Sequence, residues 1–308
     1  MPIQKRGRAE GNGRLVSEGS NARDPLGRQI GRFGQDAETV AFVTSGAESL
    51  RPLVILQSLE FPAWPAATLC ARAEQQGFRI VCIRRPGFGS LAPLPELDRQ
   101  VELIRDFLEE LGGGPCVLVC AGTSNALGFR LAGDPNVGLT VLANCCFNYN
   151  PLAEIRPDWF ATSVEQTLTS ETGARLALMG LKSAEGLFGK YWVKENFMQK
   201  SAGDLAFLRA NRELFAEAVD CLVEGMEVHT FMMELRCTLN EDPFLTDGCF
   251  NGKPVIAISG SENSETWKKA TRAEAERVGV PLHFFASGDA LVFYASMDDV
   301  FDLLTRYA

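Results

Sequence analysis

Histidine is nearly missing from this 308-residue sequence, which carries only His229 and His283. The nine cysteines include no Cys-x-x-Cys pair, so the spacing of a zinc site is absent and neither a metal nor a cofactor is expected. No stretch reaches the roughly 18 to 20 uninterrupted apolar residues that a membrane-spanning helix needs. Basic residues are outnumbered, 30 against 39, and the net charge of −9 opposes any sequence-independent attraction to phosphate backbones or anionic lipid. Nucleic acid and membrane are therefore excluded as expected partners. The basic start (Lys5, Arg6, Arg8) is followed by Gly11-Asn12-Gly13 rather than by the apolar region of a signal peptide, which predicts a cytoplasmic protein.

Apolar side chains are plentiful, at 46%, enough for one large core or two modest ones. Cys82, Cys116 and Cys120 alternate with Val and Ile and read as buried free thiols in a reducing compartment. Residues 1–27 are rich in Gly, Arg, Ser and Asn without apolar periodicity and are expected to be a flexible lead-in.

Beyond them the pattern alternates. Strands are predicted at Thr39–Gly46, Pro52–Ser58, Phe78–Arg85, Cys116–Ala121 and Leu139–Cys145, with helices at about 63–76, 95–111 and 124–132. In the second helix Val101, Ile104, Leu108 and Leu111 share one face, the 3.6-residue signature. Gly112-Gly113-Gly114-Pro115 stops it. Strands apolar on both faces, separated by amphipathic helices, imply a mostly parallel sheet covered on both sides. From about 147 to 250 the alternation gives way to helices at 164–187, 204–221 and 228–239, which predicts an inserted helical cap. The sheet pattern then resumes over 251–308, with strands at Pro254–Gly260 and Pro281–Ser287 and helices at 264–278 and 297–307. Residues 28–146 and 251–308 thus form one α/β core interrupted by one cap.

Three motifs in this layout resemble the α/β-hydrolase superfamily. Arg84-Arg85-Pro86-Gly87-Phe88-Gly89-Ser90 is similar to the glycine-rich turn after the family's fourth strand. The segment Gly288–Leu304 is similar to its closing stretch. Val117–Gly128, VLVCAGTSNALG, is similar to the strand and elbow that carry the nucleophile. The resemblance implies a nucleophile, a histidine and an acid in fixed places. Counting from Leu111 forward and from Leu139 backward puts the nucleophile position at Gly122. The histidine position falls on Asp289, and the acid position on Asn263 with Glu262 beside it, or on Asn144. Gln57-Ser58 stand where the oxyanion loop is expected. None of these residues is the one the family's chemistry uses.

Two functions follow as expectations. The first is a catalytically degenerate protein that binds a small apolar ligand or a protein partner, in a pocket formed by Gln57, Ser58, Glu60, Gly122, Thr123 and Asp289. The alternative is an atypical serine hydrolase or lyase. Gly122-Thr123-Ser124-Asn125-Ala126 nearly matches G-x-S-x-G, which would make Ser124 the nucleophile, with the N–H of Thr123 or Ser124 holding an oxyanion. Asp289 would instead act as a base in a proton transfer. His283 lies in a predicted strand and His229 on a helical face of the cap, where packing roles are expected, and a serine without a base is a poor nucleophile.

Overall fold

The computed structural model describes residues 22–36, 38–59, 61–154, 157–198 and 200–307. Eight strands form one sheet: β1 (Gly31–Gln35), β2 (Glu38–Ser45), β3 (Arg51–Leu56), β4 (Phe78–Arg84), β5 (Cys116–Ala121), β6 (Val137–Ala143), β7 (Val255–Gly260) and β8 (Leu282–Phe285). Their order is β1-β2-β4-β3-β5-β6-β7-β8. Only β2 runs against its neighbours; the other pairings are parallel. The fold class is α/β with a mostly parallel sheet, as the two-sided apolar strands imply.

Alternation along the strands divides the core between two helical layers. Leu53 and Ile55 of β3 point into the layer holding α1 (Ala67–Gln75), α11 (Val292–Ala295) and α12 (Met297–Tyr307). Val54 and Leu56 point into the layer holding α2 (Leu97–Leu111), α3 (Asn125–Leu131) and α10 (Glu265–Val278). The face of α2 expected from its periodicity is buried at Val101, Ile104 and Leu108, and it extends to Phe107, whose ring lies 5.5 Å from Phe33 and 5.1 Å from Phe42.

Between β6 and β7 stand α4 (Asp158–Thr169), α5 (Glu171–Phe188), α6 (Lys190–Met198), α7 (Ala202–Ala210), α8 (Arg212–Val223) and α9 (Val228–Leu239). Two helices expected to be continuous are broken. Ser170 ends α4 and caps α5 by accepting the Gly173 N–H at 3.1 Å, and Asn211 divides α7 from α8, its amide donating back to the Phe207 carbonyl at 2.9 Å. Phe147 and Phe250, at the ends of the expected cap, pack beside Phe129 in the sheet core.

β1 was not among the expected strands. It offers Phe33 alone as a buried large apolar side chain, and Gly31 lies so close beneath the Phe42 ring that a Cβ would stand 2.5 Å from it. Residues 1–21 of the expected lead-in lie outside the described residues. Its end is ordered, because buried Asp24 accepts from the N–H groups of Leu26 (3.0 Å) and Arg28 (2.7 Å) and from the Arg28 guanidinium. At the opposite edge β8 is four residues long, with the Arg272 guanidinium 5.1 Å over the Phe284 ring.

All nine cysteines are free and six are buried. No helix among the described residues is long and apolar enough to cross a membrane.

Replacing Phe107 by alanine removes the ring that joins α2 to β1 and β2. The expected loss is about 3–5 kcal/mol of stability, read from the midpoint of urea denaturation.

Candidate functional site

The C-terminal ends of the parallel strands converge beneath the cap, where open α/β sheets place their ligands. β5 ends in a tight 3-10 turn, Gly122–Ser124, before α3. Gly122 has φ +50°, a left-handed conformation that strains any residue carrying a Cβ. The elbow therefore exists, and the residue at its tip has no side chain. Ser124, the alternative nucleophile, is wholly buried, and its hydroxyl is closed onto the turn: it accepts the Ala121 N–H at 2.8 Å and donates to the Ala121 carbonyl at 2.9 Å. The side chain thus points into the protein rather than into the cleft. The histidines are engaged elsewhere. His283 Nε2 lies 3.3 Å from the Tyr307 hydroxyl; His229, expected to pack, is instead exposed, because its side of α9 faces an open groove that it lines with Met232 and Arg236.

Thr123 occupies the centre of a buried polar network. Its hydroxyl donates to Glu234 of α9 and accepts the Leu59 N–H at 3.3 Å. Glu234 Oε2 also receives Arg85 Nη2 at 2.5 Å, and both charged side chains are buried. Arg85 uses its other donors on the Gln57 carbonyl (2.5 Å) and on Gln100 Oε1 (3.2 Å), with the Phe88 ring 5.0 Å away. The glycine-rich turn after β4 admits this packing. Gly87 has φ +82°, and a Cβ there would stand 2.4 Å from Thr230 Oγ1 of α9. The turn follows β4, as the resemblance implies, and its contact with α9 ties it to the cap.

A second seam joins α7 to the loops after β7 and β8. Asp204 is buried, and its Oδ1 accepts the N–H groups of Asp289 (3.0 Å) and Leu291 (3.2 Å). Burial still holds its carboxyl above the ordinary range. Glu262 accepts the Ser201 hydroxyl (2.5 Å) and the N–H groups of Gly203 (3.0 Å) and Gly288 (2.8 Å). Burial pushes Glu262 up, but these donors outweigh it and hold the group below the usual range. Asp289 is pushed up to about 6 by burial and then by the neighbouring carboxylates of Asp204, Glu262 and Glu154. The two positions considered for the acid meet each other, Asn263 Nδ2 donating to Asn144 Oδ1 at 3.3 Å. Burial raises the thiols of Cys120 and Cys145, the opposite of what a reactive cysteine needs.

An apolar cavity of about 580 Å³ lies between sheet and cap. Leu59 and Ala290 form its floor, while Leu168 of α4, Leu181 of α5, Leu222 of α8 and Phe231 of α9 form its walls. Lys194 of α6 also lines it, with Nζ donating to the Leu59 carbonyl at 3.1 Å. The expected pocket residues Gln57, Ser58, Gly122, Thr123 and Asp289 are not in this lining. Their chain neighbours Leu59 and Ala290 take that place, while Gln57 and Ser58 are both buried. Glu60 lies outside the described residues. Among the described residues no group of three metal-ligating side chains converges.

The mostly parallel sheet, the elbow after β5 and the helical insertion after β6 define an α/β-hydrolase fold with a cap. The chain belongs to the alpha/beta hydrolase family, whose model matches residues 59–303. No curated protein matches the sequence. Similar solved structures include a bromoperoxidase from Bacillus anthracis (TM-score 0.61, 15% identity, covering 87% of this chain and 95% of that one). An epoxide hydrolase, CorEH, gives a TM-score of 0.64 at 15% identity over 87% of this chain and 94% of the other. An esterase from Exiguobacterium antarcticum gives 0.57 at 14% identity over 91% and 96%. At these identities the likeness is one of fold.

Two outcomes follow from the seams. Glu234→Ala leaves Arg85 buried without its counter-charge, and the expected loss is about 3–5 kcal/mol in chemical denaturation, with Arg85→Met/Glu234→Met recovering most of it. Asp289 has a raised pKa in the folded state, so folding retains its proton while the unfolded chain releases it. Its presence therefore costs stability increasingly from about pH 4 to pH 6 and fully above that. Asp289→Asn is expected to stabilise by about 3 kcal/mol at pH 7.5 and by roughly 0.5 kcal/mol at pH 4, measured by thermal unfolding across pH.

Proposed function

We propose that the protein is a non-catalytic member of its family that binds a small apolar ligand in the cavity between sheet and cap. The Thr123 hydroxyl carries this reading. In an active α/β-hydrolase one oxyanion donor comes from the loop after β3, and here the Leu59 N–H of that loop is taken by Thr123, whose own proton goes to Glu234. A donor already satisfied in the resting protein cannot be preorganised for a developing charge. Gly122 supplies no nucleophile, Ser124 is closed onto its own turn, and Asp289 and Asn263 stand in the places of base and acid. What the cleft retains is volume and apolar surface, within the usual range of small-molecule sites.

Asp289 favours a second reading. A carboxyl held at about 6, one residue from Ala290 in the cavity floor, suits a general base for a proton transfer. It requires neither a nucleophile nor a histidine.

The test uses the intact protein with a fluorophosphonate probe, a panel of p-nitrophenyl esters and the apolar dye Nile red. The binding reading expects no labelling, no turnover and saturable dye fluorescence. Ala177 lines the cavity on α5 and packs against its apolar cluster. Ala177→Leu is expected to weaken dye binding by roughly tenfold or more. Labelling at a serine would overturn the reading, and ester turnover lost in Asp289→Asn would establish the second one.

A further inference from the structure

The cap also presents an apolar face outward. On α5, Leu176 is 59% exposed, Met179 64% and Leu187 77%. These positions, spaced i, i+3 and i+11, lie along one side of the helix, away from Ala177 and Leu181, which line the cavity. Large apolar residues are rarely clustered on a surface without a partner. α5 is apolar on two faces, and the cavity accounts for only one of them.

The polar edge beside this stripe points to the partner. Glu171, Arg175 and Lys182 run along it in that order, with Arg175 bonded to Glu171 at 2.7 Å. We propose that α5 docks against α5 of a second copy, antiparallel about a two-fold axis passing between Leu176 and Ala177. A two-fold perpendicular to the helices keeps like edges together and reverses their direction. Position 171 of one copy then stands opposite position 182 of the other, so each Glu171 faces one Lys182 and the dimer holds two such pairs, while Leu176 and Met179 gather about the axis.

Charge elsewhere favours the same occupant. Residues 158–200 carry five acidic and five basic side chains, in a chain whose net charge is −9. The neutral face is where two acidic molecules meet with least repulsion. A lipid surface instead selects helices whose polar side is rich in Lys and Arg, whereas on α5 Glu171 and Glu185 balance Arg175 and Lys182.

The experiment is multi-angle light scattering and sedimentation equilibrium on the full chain over a range of concentrations. Wild type is expected to reach twice the chain mass. Met179→Glu places a charge near the axis and is expected to weaken the dimer on the order of a hundredfold. Glu171→Lys or Lys182→Glu alone is expected to weaken it about tenfold, and the double reversal to restore it. Unchanged circular dichroism and Tm show that the variants still fold, as expected for exposed positions. A wild type monomeric at every concentration overturns the proposal. So do a dimer indifferent to Met179→Glu, a double reversal that fails to recover association, and a monomer that pellets with phosphatidylcholine/phosphatidylglycerol vesicles, which would assign the face to lipid.

Discussion

The arrangement of this molecule depends on one buried ion pair, Arg85 with Glu234, which joins the end of β4 to the middle of α9. Taking two charges out of water costs several kcal/mol for each, and their attraction offsets this only when the remaining donors and acceptors are also used. Arg85 meets that condition through the Gln57 carbonyl, the Gln100 side chain and the Phe88 ring; Glu234 meets it at Oε2, which also accepts the Thr123 hydroxyl, while its buried Oε1 has no partner among the described residues. The elbow, the loop after β3, the glycine-rich turn and the cap are thus held by a single set of contacts. The height of α9 above the sheet is fixed where Thr230 rests over Gly87. The Thr123 hydroxyl of the elbow is used to join the cap to the loop after β3.

Much of the fold was legible because its physics is local. β3 to β7 were readable as apolar runs, since a strand covered on both faces has no polar side to interrupt it. α2 was readable from its period. The short β1 was not, because its pairing with β2 rests on one buried phenylalanine and on glycines that admit a neighbouring ring. The breaks at Ser170 and Asn211 were missed because serine and asparagine in a polar stretch interrupt a helix only when their side chains find a backbone partner, which the surroundings decide.

Counting locates strand ends and not contacts: Gly122 follows β5, Asn263 lies past the end of β7 and Asp289 past the end of β8. The network was invisible because its central bond spans 149 residues. A faint signal did exist: Glu234 follows Phe231, Met232 and Met233 in a helix whose neighbouring face is apolar, and a carboxylate in such company needs a cation or a donor. The cavity was displaced from the expected residues by one position at each loop, to Leu59 and Ala290. Spacing alone does not say which of two adjacent side chains points into a cleft.

The brevity of β8 has a consequence of its own. A parallel sheet must end somewhere, and an outer strand with free backbone groups is a template onto which another chain adds itself. Here that rim offers only four residues, Leu282–Phe285, with Arg272 laid over Phe284 and Tyr307 beside His283. At the other rim β1 is five residues long and contains two glycines. Neither rim gives a foreign strand enough ladder positions to hold on. The long buried strands at the centre therefore stay inside one molecule, and the sheet is kept from growing into a fibre by the shortness of its two ends.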